Sequence, residues 1–189
     1  MRGHRTRMVA CATCLVIAAV ALAWAGQTAI FTTKTDEGWV YVNVDLARKR
    51  TGEAFIPLLV GVMNNSKQSV VLTRESFRIV MPDGTRLPAA SVQQIREGYP
   101  KLENDFRWLA SVEPARILGV RGVGTVPSHF YPGLVEGTPV VITEVELPPR
   151  YWTADLIYLP RPEGFTGGEL VLEVAGEGWK APVLVNLSL

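Results

Sequence analysis

From Ala54 to Arg86 the order of apolar and polar positions predicts two strands joined by a polar turn and closed by a second turn. Phe55 to Met63 is nearly continuous apolar sequence, and Asn64-Asn65-Ser66-Lys67-Gln68 is a cluster of turn formers. Val70-Val71-Leu72 and Phe77 to Met81 resume the strand pattern until Pro82-Asp83-Gly84 ends it. Phe77, Ile79 and Met81 fall on one face, as a period of two requires, and are expected to pack against Leu58, Val60 and Val62 of the preceding strand.

The same reading extends along the chain. Gly26 to Gly38 shows no sustained period and reads as a flexible lead-in, so order is expected to begin at Trp39, with Trp39 to Leu46 as the first strand. Arg48-Lys49-Arg50-Thr51-Gly52-Glu53 reads as a solvated hairpin loop. Beyond Gly84 the period changes. Ser91 and Gln94 have capping-box spacing, and Gly98 suits a left-handed helix end. Pro100 fits the first turn of a second helix whose Leu102, Phe106 and Leu109 share a face. Apolar character returns from Arg116 to Val126, where Gly119, Gly122 and Gly124 follow the order G-x-x-G-x-G rather than a dinucleotide fingerprint; they read as bulges or points of close strand packing. Val140 to Leu147, Leu156 to Leu159, Glu169 to Ala175 and Pro182 to Leu189 complete the candidate strands. About eight short strands with frequent turns predict an all-β sandwich over residues 39–189, plugged at one end by a short two-helix insert.

Composition adds a compartment. Arg2, Arg5 and Arg7 precede an uncharged apolar run from Met8 to Ala25 that ends in Ala23-Trp24-Ala25, the form of a signal-peptide cleavage site. The run approaches the length that spans a bilayer, so residues 1–25 are either a cleaved signal peptide or an N-terminal membrane anchor. In both cases the remainder is extracytoplasmic: periplasmic, secreted, or held at the outer face of the inner membrane. Both cysteines, Cys11 and Cys14, lie inside this segment, so the exported part relies on its apolar core rather than on disulfides. The formal net charge is +1, and removing the three arginines makes it slightly negative. No long basic run is left to follow a phosphate backbone, which argues against nucleic acid as a partner.

The stretch Val62-Met63-Asn64-Asn65-Ser66-Lys67-Gln68-Ser69-Val70-Val71-Leu72, followed by Phe77-Arg78-Ile79 and Asp83-Gly84, resembles the telokin-like, immunoglobulin-like domains of bacterial exported proteins and lipoproteins. There too a strand ends in paired polar residues and a phenylalanine strand closes at Asp-Gly. The chain departs from that pattern in lacking a lipoprotein cysteine at the end of the apolar run and in carrying the insert from Ser91 to Ala110. The resemblance implies an immunoglobulin-like sandwich in an extracytoplasmic, non-catalytic domain.

Candidate chemistry is sparse. His129 is the one histidine of residues 26–189, and its neighbour Ser128 would point to the opposite face of a strand, which makes a poor nucleophile–base pair. Glu144 and Glu146 alternate along a strand and project from one face about 7 Å apart, within range of a glycosidase pair or a calcium site, although a solvated face accounts for them without a ligand. No catalytic, cofactor or metal site is therefore expected. Asn64-Asn65-Ser66 and Asn186-Leu187-Ser188 match the glycosylation sequon but read as turn and strand residues. Aromatic rings near turns remain as contact candidates: Trp108 on the insert, Tyr151 and Trp152 after Pro148-Pro149-Arg150, and Trp179 after Gly176-Glu177-Gly178. The sequence thus predicts a cell-envelope domain that contacts a protein partner. A carbohydrate-binding module with exposed rings is the alternative, and a carboxylate-dependent hydrolase is the more distant one.

Overall fold

The computed structural model describes residues 29–132 and 141–189. The expected signal or anchor at residues 1–25, with both cysteines, lies outside the described residues, as do Gly26 at the start of the lead-in and Val140 at the start of an expected strand. The chain runs β1 (Ile30–Lys34), β2 (Gly38–Asn43), α1 (Asp45–Arg48), β3 (Phe55–Asn64), β4 (Val70–Thr73), β5 (Phe77–Val80) and β6 (Arg86–Pro88). Three helices follow, α2 (Val92–Gly98), α3 (Leu102–Ser111) and α4 (Pro114–Leu118). The remaining strands are β7 (Gly124–Thr125), β8 (Glu144–Leu147), β9 (Tyr151–Pro160), β10 (Glu169–Val174) and β11 (Val183–Ser188). The protein is mostly β, arranged in several sheets that share one apolar core.

The largest sheet has the order β1-β2-β3-β9-β7, a second has β11-β10-β5-β6, and β4 pairs with β8. β3 lies at the centre of the first sheet, and every one of its residues except Met63 is buried. Burial on both faces explains why its sequence is a continuous apolar run rather than an alternation. Leu118 of α4 packs against Gly61, where a Cβ would stand 2.7 Å from Leu118 Cδ1. The second sheet keeps the alternation, with Phe77, Ile79, Leu172, Val174, Val183 and Val185 buried and Leu184 exposed. Its partly covered face carries Glu173, which is buried beneath ion pairs to Arg78 (3.3 Å) and Arg86 (3.0 Å).

Several sequence expectations are corrected. Residues 30–34 are not lead-in but the edge strand β1, paired antiparallel with β2 from Ile30↔Asn43 to Lys34↔Trp39. Phe77 and Ile79 of β5 are buried, in a sheet separate from that of β3, but Met81, expected on the same inward face, lies past the end of β5 and is only partly buried. The basic run after α1 is not merely solvated. Arg50 forms an ion pair at 2.7 Å with Asp105, which is fully buried on α3 and also accepts the Tyr99 hydroxyl. That hydroxyl is pushed well above its usual pKa by burial and then by the Asp105 carboxylate. Tyr99 continues inward into a ring cluster, 5.1 Å from Tyr158, which stands 5.0 Å from Tyr131.

The helical insert is longer than expected. Ser91 caps α2 as predicted, with Oγ accepting the Gln94 N–H (3.2 Å) and its own N–H donated to Gln94 Oε1 (2.8 Å). Gly98, however, is the last helical residue and has no positive φ; the chain leaves through an extended Tyr99. Pro100 precedes α3 rather than entering it. A third helix, α4, occupies part of the stretch read as strand-like, with Pro114 at its start and Gly119 in the left-handed conformation (φ 73°) at its end. Only Gly124–Thr125 of that stretch forms a strand. Because the Ser91 cap is exposed and local, Ser91→Ala is expected to cost about 1 kcal/mol, read as a small drop in the urea midpoint with an unchanged slope.

Candidate functional site

The site is built where the insert returns to the first sheet. β7 pairs parallel with the start of β9, Gly124 opposite Tyr151 and Thr125 opposite Trp152. Beyond it the chain follows the free edge of β9 by other means. The Val126 N–H donates to the Trp152 carbonyl at 2.9 Å, and the Ser128 hydroxyl donates to the Ala154 carbonyl at 3.1 Å while accepting from the Thr153 hydroxyl at 2.8 Å. At Asp155 a side chain replaces the missing ladder. Its Oδ2 accepts the Phe130 N–H (2.7 Å) and its Oδ1 accepts the Leu156 N–H (2.8 Å), so two buried donors are satisfied by one carboxylate. Desolvation pushes the Asp155 carboxyl up to about 7, against the opposing pull of those two N–H groups.

A pocket of about 360 Å³ opens between this segment and the helices. Leu109 of α3 and Pro114 and Ala115 of α4 form one wall, Val126 and Pro127 another, and Trp152 and Ala154 of β9 the base, with Asp155 part of the lining. Trp152 is held by its indole N–H, which donates to Thr125 Oγ1 at 2.9 Å. Glu113 and His129 are exposed at its margin. An apolar concavity with a few fixed polar groups is the usual form of a small binding site.

The predicted contact rings do not form one surface. Tyr151 is 42 % exposed, whereas Trp152 is only 4 % exposed and belongs to the pocket. Trp108 and Trp179 are half-buried against the core. Trp179 is wedged over Gly38, where a Cβ would stand 2.5 Å from its ring, and over Gly176. Tyr151 and Trp152 lie within β9, which begins immediately after the turn at Arg150 (φ 64°) and not at Leu156.

Ser128 is buried and committed to Thr153 and Ala154, while His129 is exposed. Glu144 and Glu146 project from the exposed face of β8, opposite the buried Val145 and Leu147. Asn64 is buried and donates to the carbonyls of Gln68 (2.7 Å) and Leu147 (2.8 Å), so this sequon residue ties β3 to the end of β8. Asn186 lies on an exposed position of β11. Among the described residues no cluster of three or more His, Cys, Asp or Glu is arranged to hold a metal, and no helix is long and apolar enough to cross a membrane.

No protein-family model matches the chain, and no curated protein or solved structure matches it. The pocket beside β9 had no counterpart in the sequence reading, because its walls come from three separated segments. One signal was present: Asp155 is the single charge in the run from Tyr151 to Pro160.

Proposed function

We propose that this chain is a non-catalytic exported domain of the cell envelope, built as an immunoglobulin-like sandwich, that engages a protein partner through the pocket between α3, α4 and β9. The observation that carries the reading is the apolar lining of that pocket around the fixed Trp152 ring. A partner side chain inserted there loses its contact with water against apolar walls, the situation in which interface anchors contribute most to affinity. A glycan platform would use flat exposed rings. Of Trp108, Tyr151, Trp152 and Trp179, Tyr151 alone is largely exposed, which favours the anchor pocket over the sugar platform.

The test uses bait protein on an envelope extract. Ala115→Trp fills the pocket from α4 and is expected to reduce partner capture roughly tenfold, equivalent to about 1.4 kcal/mol, with an unchanged circular dichroism spectrum. Tyr151→Ala is expected to leave capture intact. Loss of capture with Tyr151→Ala and not with Ala115→Trp would replace this reading with the carbohydrate one.

A further inference from the structure

We infer that the pocket recognises an unbranched alkyl chain ending in a primary ammonium, supplied by a lysine side chain of the partner. The inference rests on the proposed binding role of this pocket and adds the chemistry of what enters it. Asp155 contributes to the lining and is itself 3 % exposed. Its two oxygens each accept one backbone N–H, which leaves acceptor capacity on both. Among the described residues no lysine or arginine pairs with it; the ion pairs present involve Asp105, Glu173 and Glu103. Residues 133–140 carry no lysine or arginine in their sequence.

A buried carboxylate normally sits with a counter-charge, because the cost of removing it from water is otherwise uncompensated. Among the described residues the fold supplies this carboxylate with hydrogen bonds but no cation, beside a cavity open to solvent. Leu109, Pro114, Val126 and Trp152 offer apolar surface along which a four-carbon stem can lie. Long basic side chains bury their stems in this manner while the charged head seeks polar atoms. Glu113, exposed at the margin, adds negative charge at the entrance. A neutral apolar anchor of equal length would fill the cavity and leave Asp155 without a counter-charge.

The test needs no mutation of Asp155. The full domain is titrated at pH 8, above the value of about 7 to which burial raises the Asp155 carboxyl, with N-acetyl-lysine methylamide, with the norleucine analogue that lacks only the ammonium, and with n-butylammonium, while backbone amide resonances are followed by NMR. The lysine derivative is expected to bind at least roughly tenfold more tightly than the norleucine analogue, and the Phe130 and Leu156 amides, which donate to the carboxylate, are expected to shift. Equal binding of the lysine and norleucine derivatives would overturn the charge inference while leaving the apolar anchor pocket in place. Absence of pocket shifts with all three would overturn both. Tighter binding of n-butylammonium than of the lysine derivative would make the site one for free amines and overturn the protein source. Glu113→Gln is expected to weaken the lysine derivative two- to threefold at low salt, an effect lost at high salt; a salt-independent affinity would count against charge recognition.

Discussion

Replacing Phe77 with alanine is expected to destabilise the fold by about 3 to 5 kcal/mol, the range for truncating a fully buried phenylalanine. Phe77 is 2 % exposed and lies edge-on to Phe130, ring centres 5.8 Å apart. Its loss removes apolar burial from the second sheet and leaves a void beside Phe130, whose N–H is held by Asp155. The change therefore loosens the pocket as well as the core. Urea unfolding followed by far-ultraviolet circular dichroism checks it, and an unchanged midpoint would mean that β5 does not bury this ring.

Stability is expected to fall as the pH is raised from about 4 to about 7 through the contribution of Asp155. In the unfolded chain this carboxyl titrates at its ordinary value near 4, whereas in the fold burial raises it to about 7. Between those values the folded protein keeps a proton that the unfolded chain has released, so each step up in pH favours unfolding. The contribution is fully present below the lower value, is lost as the pH climbs through the upper one, and is constant beyond it. A displacement of this size is worth on the order of 4 kcal/mol. Other carboxylates act in the opposite sense. Glu75 is held below its usual value chiefly by a hydrogen bond from its own backbone, so wild type alone does not isolate the effect. The comparison with Asp155→Asn does: the stability of the variant relative to wild type is expected to rise by that amount between pH 4 and pH 8. A difference that stays constant across the range would show that Asp155 titrates normally in the fold.

The parts of the fold legible in the sequence are those whose burial follows a simple period. β3, β4, β5, β10 and β11 match expected strands because their apolar residues alternate or run continuously, and β2 covers the expected first strand only as far as Asn43, since Asp45 and Leu46 open α1. β1 was hidden because Ile30-Phe31-Thr32-Thr33-Lys34 buries little and is ordered by its pairing with β2 rather than by a core face. α4 was hidden because five residues are too few to display a helical period; its Pro114 and Gly119 marked both ends. The start of β9 was masked by Pro148-Pro149, which read as a loop extending through Trp152. Asp105 sat within the apolar stripe of Leu102, Phe106 and Leu109, but its partner Arg50 is far away in sequence and is brought there only by the tertiary fold. The pocket was illegible for the same reason, since spacing within one segment says nothing about a cavity assembled from three.

α1 joins the two ends of the described chain. The Val44 N–H, just before α1, donates to the Ala29 carbonyl, and the Arg48 guanidinium donates to the Ser188 carbonyl. Residues 29 and 188 therefore lie at the same end of the molecule, Ala29 immediately before the edge strand β1 and Ser188 at the end of the edge strand β11. A mechanical load pulling the two ends apart would enter β1 at Ile30↔Asn43 and β11 at Ser188↔Glu169, the outermost rungs of two antiparallel ladders. Those rungs would open in succession, as in peeling, instead of sharing the load in shear. The edge strands would yield at low force while β3 and β9, which carry the pocket's base and the centre of the core, stay unloaded.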